Sequence, residues 1–86
     1  MTAWVRGQVQ GVGFRWWTRS RALELGLVGH AANVAGGRVE IVAEGPRRAC
    51  ELLLSTLRSG EAPGQVDTVV EQFDDARGGL DDFVER

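Results

Sequence analysis

Polar and apolar residues alternate from the start of the chain. Across residues 2–9, Ala3, Val5, Gly7 and Val9 fall on one side and Arg6 and Gln8 on the other. A period of two predicts a half-buried strand, which Gln10-Gly11-Val12-Gly13 interrupts with two glycines. From Phe14 the period lengthens. Phe14, Thr18, Ala22 and Leu25 form one face of a helix, and Gly26 is placed to end it because glycine adopts the left-handed conformation cheaply. Trp16 and Trp17, at the helix start, read as packing residues, Trp17 the more inward of the two. Residues 27–33 and 38–44 read as two strands joined by a turn that contains Gly36 and Gly37. Gly45-Pro46 breaks the pattern, and proline suits the first position of a second helix, over residues 46–58. Its apolar stripe is Ala49 or Cys50, then Leu53, Leu54 and Leu57.

After a loop at 59–64, residues 65–73 predict a strand with Val66, Val69, Val70 and Phe73 apolar. A second loop spans 74–79, and the tail from Leu80 to Arg86 predicts a short extra edge strand around Phe83. The order strand, helix, strand, strand, helix, strand points to an α+β fold, the ferredoxin-like βαββαβ sandwich. Its sheet is expected to be antiparallel with two helices on one face, leaving the other face more open.

At 86 residues the chain is a single domain, 1–86, near the size at which one core just suffices. A net charge of −2 gives no push toward nucleic acid, which calls for a basic domain or face. Basic residues are nonetheless clustered locally. Arg15, Arg19 and Arg21 lie close together, which suits a small anion, whereas Arg47 and Arg48 read as solvated surface charge. The single cysteine, Cys50, excludes an internal disulfide and reads as a small buried hydrophobe. No apolar run is long enough to span a membrane, and the first residues lack the basic-then-apolar pattern of a signal peptide. The default expectation is a cytoplasmic monomer.

The chemistry concentrates where the first strand meets the first helix. A helix start carries unpaired N–H groups and partial positive charge, which favours phosphate. Gly11 and Gly13 remove Cβ atoms from the anion's path and allow positive φ, so that successive amides can converge. Arg15 adds a fork of donors matched to phosphate oxygens. A Walker A loop is excluded, since Phe14-Arg15-Trp16 supplies no Gly-Lys-Ser/Thr, and Trp16 is too large for a dinucleotide fingerprint. On spacing alone, phosphate binding and a plain strand-to-helix turn both remain open.

The run Val5-Arg6-Gly7-Gln8-Val9-Gln10-Gly11-Val12-Gly13-Phe14-Arg15 resembles the acylphosphatase signature, which ends in a catalytic arginine. A second motif of that family is matched by Gly29-His30-Ala31-Ala32-Asn33-Val34-Ala35-Gly36-Gly37-Arg38-Val39 with Gly45 beyond it, and Asn33 follows Arg15 at the family's spacing. The chain departs from the family at His30, where an aromatic is usual, at Ala32, where a basic residue is common, and in its last residues.

The resemblance implies hydrolysis of the carboxyl–phosphate bond of a small-molecule acyl phosphate, without metal or other cofactor. It implies that backbone amides of Gln10, Gly11, Val12, Gly13, Phe14 and Arg15 cradle the phosphate, that the Arg15 guanidinium neutralises it, and that the Asn33 side chain holds the attacking water. His30 is the rival general base, but in a regular strand residues 30 and 33 face opposite ways, so His30 is expected to be structural. Asp67, Asp74 and Asp75 lack the His or Cys partners of a metal cluster. Two alternatives remain: a non-catalytic phosphate or carbamoyl-phosphate binding module of the same fold, and an RNA-binding domain of similar layout. The latter stacks bases on sheet aromatics, which residues 38–44 do not contain.

Overall fold

The computed structural model describes residues 1–76 and 78–86. The elements in order are β1 (Thr2–Gln8), α1 (Phe14–Glu24), β2 (Val28–Val34), β3 (Arg38–Glu44), α2 (Arg47–Leu57), β4 (Gln65–Gln72) and β5 (Phe83–Glu85). They form a five-stranded sheet in the order β4-β1-β3-β2-β5, with both helices packed on it. Alternation sets the faces. Ala3 and Val5 of β1, Ala31 of β2, and Val39, Ile41 and Ala43 of β3 are fully buried under the helices. Phe14 and Ala22 of α1 and Cys50, Leu53, Leu54 and Leu57 of α2 close the core from above. Both stripes are the ones that helical spacing marks out. Trp17 packs against this core, with its ring centroid 6.0 Å from that of Phe14, whereas Trp16 is largely exposed.

Along β4 the apolar positions Val66 and Val69 are three apart, which fits no regular strand. Both nevertheless pack on the core, because the β1–β4 register shifts between Arg6 and Gly7. Val66 then lies opposite Gly7 and Val69 opposite Val5, so a bulge absorbs the odd spacing. Val70 is exposed. Phe73, just past the strand, lies under the Arg47 guanidinium at 4.2 Å. Arg47 also pairs with Glu51, so this arginine is engaged at the surface with neighbours on both sides.

The expected antiparallel sheet is present, and the extra edge strand adds one parallel pairing to it. Four strands pair antiparallel, but β5 pairs with β2 in parallel, Phe83 opposite Gly29 and Glu85 opposite Ala31. The connection explains the direction. β4 finishes at the end of the sheet where β2 begins, because Gln72 lies opposite Thr2, Thr2 opposite Val42, and Val28 opposite Glu44. The segment after β4 then crosses the helix-free face, where Asp74, Asp75, Ala76, Gly78 and Leu80 wall a cleft over Trp4, His30, Glu40 and Val42. The Gly78 amide donates to Glu44 Oε1 at 3.1 Å on the way. Arriving at the far edge without changing ends, the chain runs alongside β2 in the same sense. The extra edge strand is therefore present, and its Phe83 is fully buried.

Candidate active site

The loop between β1 and α1 is fixed from both sides. Val9 is buried at its base. The Gln10 side chain donates through Nε2 to the carbonyls of Val34, at 3.4 Å, and Arg38, at 3.0 Å, tying the loop to the β2–β3 turn. Gly11 has φ 74° and Gly13 has φ 82°, left-handed values that favour glycine. A Cβ built on either would meet no atom within 4 Å, so the space over the loop is open. Gly13 caps α1 without a side-chain hydrogen bond, no acidic residue occupies the first turn, and the helical ladder begins with the Trp17 N–H donating to the Gly13 carbonyl at 3.0 Å. Among the described residues, the amides of residues 10–16 donate to no backbone carbonyl and no side-chain acceptor. Gln10, Gly11, Val12, Gly13, Phe14 and Arg15 thus form a run of free donors at the positive end of a helix, a place that favours an anion.

Arg15 and Asn33 come together at this loop. The Arg15 guanidinium donates through Nη1 to the main-chain oxygen of Arg86 at 2.5 Å. The Asn33 amide donates to the same oxygen at 3.4 Å. Asn33 shares the strand side of Gly29 and Ala31 but lies past the core, so its side chain is exposed. One hydrogen bond leaves most of the guanidinium's five donors for other acceptors.

His30 lies on the opposite face of the sheet, over the cleft. Its Nε2 is 3.5 Å from Glu40 Oε1, and the Trp4 indole donates to Glu40 Oε2 at 3.2 Å. The sheet separates His30 from the glycine loop, so His30→Gln should leave turnover within about threefold of the parent, the usual range for a change away from buried chemistry. A collapse in turnover in a steady-state assay would make His30 a participant. Cys50 is buried in α2, and burial pushes its thiol above the ordinary range, which makes it a poor nucleophile. Among the described residues, no group of three or more His, Cys, Asp and Glu side chains is arranged to hold a metal.

Three features of the site escaped sequence reasoning: the Gln10 side-chain tether, the Arg86 oxygen, and Arg19, whose Nε donates to the Phe83 carbonyl at 2.9 Å. All three involve main-chain acceptors, which leave no compositional trace. For Arg19 a signal existed, because Arg15 and Arg19 are four apart and so share a helix face.

The family model described as Acylphosphatase matches residues 1–84. The chain belongs to the acylphosphatase family. It is 71% identical to an acylphosphatase of Rhodococcus jostii over all of this chain and 97% of that one. It is 66% identical to an acylphosphatase of Thermobifida fusca over all of this chain and 94% of its relative. Among solved structures, the acylphosphatase of Bacillus subtilis superposes with a TM-score of 0.91 at 32% identity, covering 99% of this chain and 94% of that one. In this chain a four-stranded antiparallel core is extended by the short C-terminal strand. Among the described residues of this acylphosphatase, no helix is long and apolar enough to cross a membrane.

Proposed function

We propose that this acylphosphatase hydrolyses the carboxyl–phosphate bond of small acyl phosphates, giving carboxylate and inorganic phosphate, with the 10–15 loop and Arg15 holding the phosphate and Asn33 holding water. The proposal is carried by one observation: the Arg15 guanidinium and the backbone amide of Asn33 share the Arg86 oxygen, and among the described residues the amides of the 10–15 loop have no hydrogen-bond acceptor. The loop amides and the guanidinium oppose the charge on the equatorial oxygens. Phosphoryl transfer depends mainly on such positioning and electrostatics. The water oxygen forms a bond to phosphorus as the bond to the acyl oxygen breaks, and the carboxylate leaves with the electron pair. A carboxylate is a stable leaving group, so little acid catalysis is needed. The Asn33 carboxamide accepts one hydrogen bond from the water, directing its lone pair. An amide is a poor base, so the water's proton passes to the substrate phosphate or to solvent.

The loop amides and the Arg15 guanidinium supply donors and charge suited to a dianion, which supports a metal-independent reading. All contributing residues belong to one chain, which suits a monomer acting on a small molecule rather than on nucleic acid. A buried, unpaired Cys50 is compatible with a reducing cytoplasm.

A turnover assay with acetyl, benzoyl and carbamoyl phosphates, and a simple phosphomonoester as control, tests this function. Acyl phosphates should turn over equally well in EDTA, and the phosphomonoester should not. Phosphate release should stay nearly flat across neutral pH, because neither a guanidinium nor a carboxamide changes charge there. Loss of activity in EDTA, or no turnover of any acyl phosphate by the intact protein, would overturn it in favour of a phosphate-binding module.

A further inference from the structure

Arg15 and Arg19 stand one turn apart on α1, and both side chains reach main-chain oxygens of the same three-residue strand region. Arg15 donates to the Arg86 oxygen and Arg19 to the Phe83 carbonyl at 2.9 Å. The Phe83 carbonyl is not part of the β2–β5 ladder. That ladder uses the Asp82 carbonyl for the Gly29 amide at 2.8 Å, the Ala31 carbonyl for the Arg86 amide at 2.8 Å, and the Arg86 oxygen for the Asn33 amide at 3.4 Å. The Phe83 carbonyl therefore points away from β2, and Arg19 fastens that outer side to α1. Without Arg19, β5 would be held by one ladder, the buried Phe83 ring and the Arg15 contact at Arg86, leaving its outer side at Phe83 without a tie to α1. Three paired residues are a short hold for a strand at a sheet edge.

The consequence falls on the Arg86 oxygen. Its position is set by β5, and it accepts from both Arg15 and Asn33. A shift of β5 along β2 would move the acceptor that fixes the direction of the Arg15 guanidinium, and catalytic groups tolerate little misplacement. We propose that Arg19 is a positioning residue of this active site: by fastening the Phe83 carbonyl to α1 it holds β5 in register, and the Arg86 oxygen then orients Arg15 for the phosphate. The proposal rests on the roles given above to Arg15 and the loop. Arg19 itself touches neither the phosphate nor the water.

The test is inorganic phosphate affinity, followed by NMR through the Gly11 and Gly13 amide signals, together with steady-state kinetics and thermal melting. Arg19→Gln should weaken phosphate binding about tenfold, the size of one lost charge-assisted hydrogen bond, and raise KM for acetyl phosphate in parallel. Arg19→Lys, which can still reach the carbonyl with a single donor, should recover much of this. In an Arg15→Gln background, Arg19→Gln should add nothing further to the loss of phosphate affinity, because its effect runs through Arg15.

A purely structural role would lower the melting temperature while leaving phosphate affinity unchanged in the folded protein, and that would overturn the proposal. An undiminished effect of Arg19→Gln in the Arg15→Gln background would overturn it too. If Arg19→Gln does not fold, Arg19→Met, which keeps an unbranched stem but has no donor for the Phe83 carbonyl, decides: weakened phosphate binding in the Arg15 background but not in the Arg15→Gln background supports it, and unchanged binding refutes it. Failure of the underlying reading looks different, since Arg15→Gln alone would then leave phosphate affinity intact.

Discussion

Replacing Arg15 by alanine should abolish detectable turnover of acetyl or benzoyl phosphate, a fall of at least about 10³-fold, comparable to removing an arginine that stabilises a transferring phosphoryl group. Three losses combine. The charge that draws in a dianion disappears, the fork of donors matched to its oxygens disappears, and the loop amides are left to hold the phosphate alone. The fold should survive, because Arg15 is not among the buried residues of the core, and among the described residues its side chain makes one hydrogen bond, to the Arg86 oxygen at the surface. A melting curve beside the rate measurement separates the two effects. Substantial residual activity in a folded Arg15→Ala protein would remove the guanidinium from the mechanism.

Asn33→Ala should behave differently. The loop amides and Arg15 remain, so phosphate and substrate should still bind with near-parental affinity. The attacking water loses its holder, and kcat should fall by roughly 10²–10³, the range seen for losing one preorganised polar group. Asn33 lies at the exposed end of β2 and contributes nothing to the core. Its backbone bond to the Arg86 oxygen persists in the variant, because the amide and not the side chain makes it. A defect confined to KM, with kcat preserved, would show that the carboxamide binds substrate rather than water.

Local pattern marked Arg15 as a candidate anion ligand, whereas Asn33 was marked only by the resemblance to the acylphosphatase motifs. Arg15 follows two glycines at the point where the apolar period changes from two to near four, and that change locates a helix start, where free amides gather. Asn33 has no such local signal; the family's second motif and its spacing from Arg15 imply its role. The faces of β1, β2 and β3 were legible from local pattern: strict alternation puts Ala31 under the helices and His30 on the far side.

The parts that stayed hidden depend on main-chain atoms or on long-range geometry. Gln10 is a polar residue in a glycine loop, and nothing in its neighbours reveals that its side chain will reach the carbonyls of Val34 and Arg38. β5 has a single buried side chain, Phe83, too little for a periodic signal. Its parallel direction follows from where β4 ends and from the path of the crossing segment, which no local pattern encodes. In β4 the spacing of Val66 and Val69 is uninterpretable until the bulge opposite Arg6 and Gly7 is seen.

The most direct measurement is an amide-resolved NMR titration of the protein with inorganic phosphate. The signals of Gly11, Gly13, Phe14 and Arg15 should shift together along one saturating curve, with the Asn33 side-chain amide responding and the indole of Trp4 unmoved. Shifts confined to the cleft over Trp4, His30 and Glu40, with the glycine loop silent at saturation, would contradict an anion seat at the start of α1.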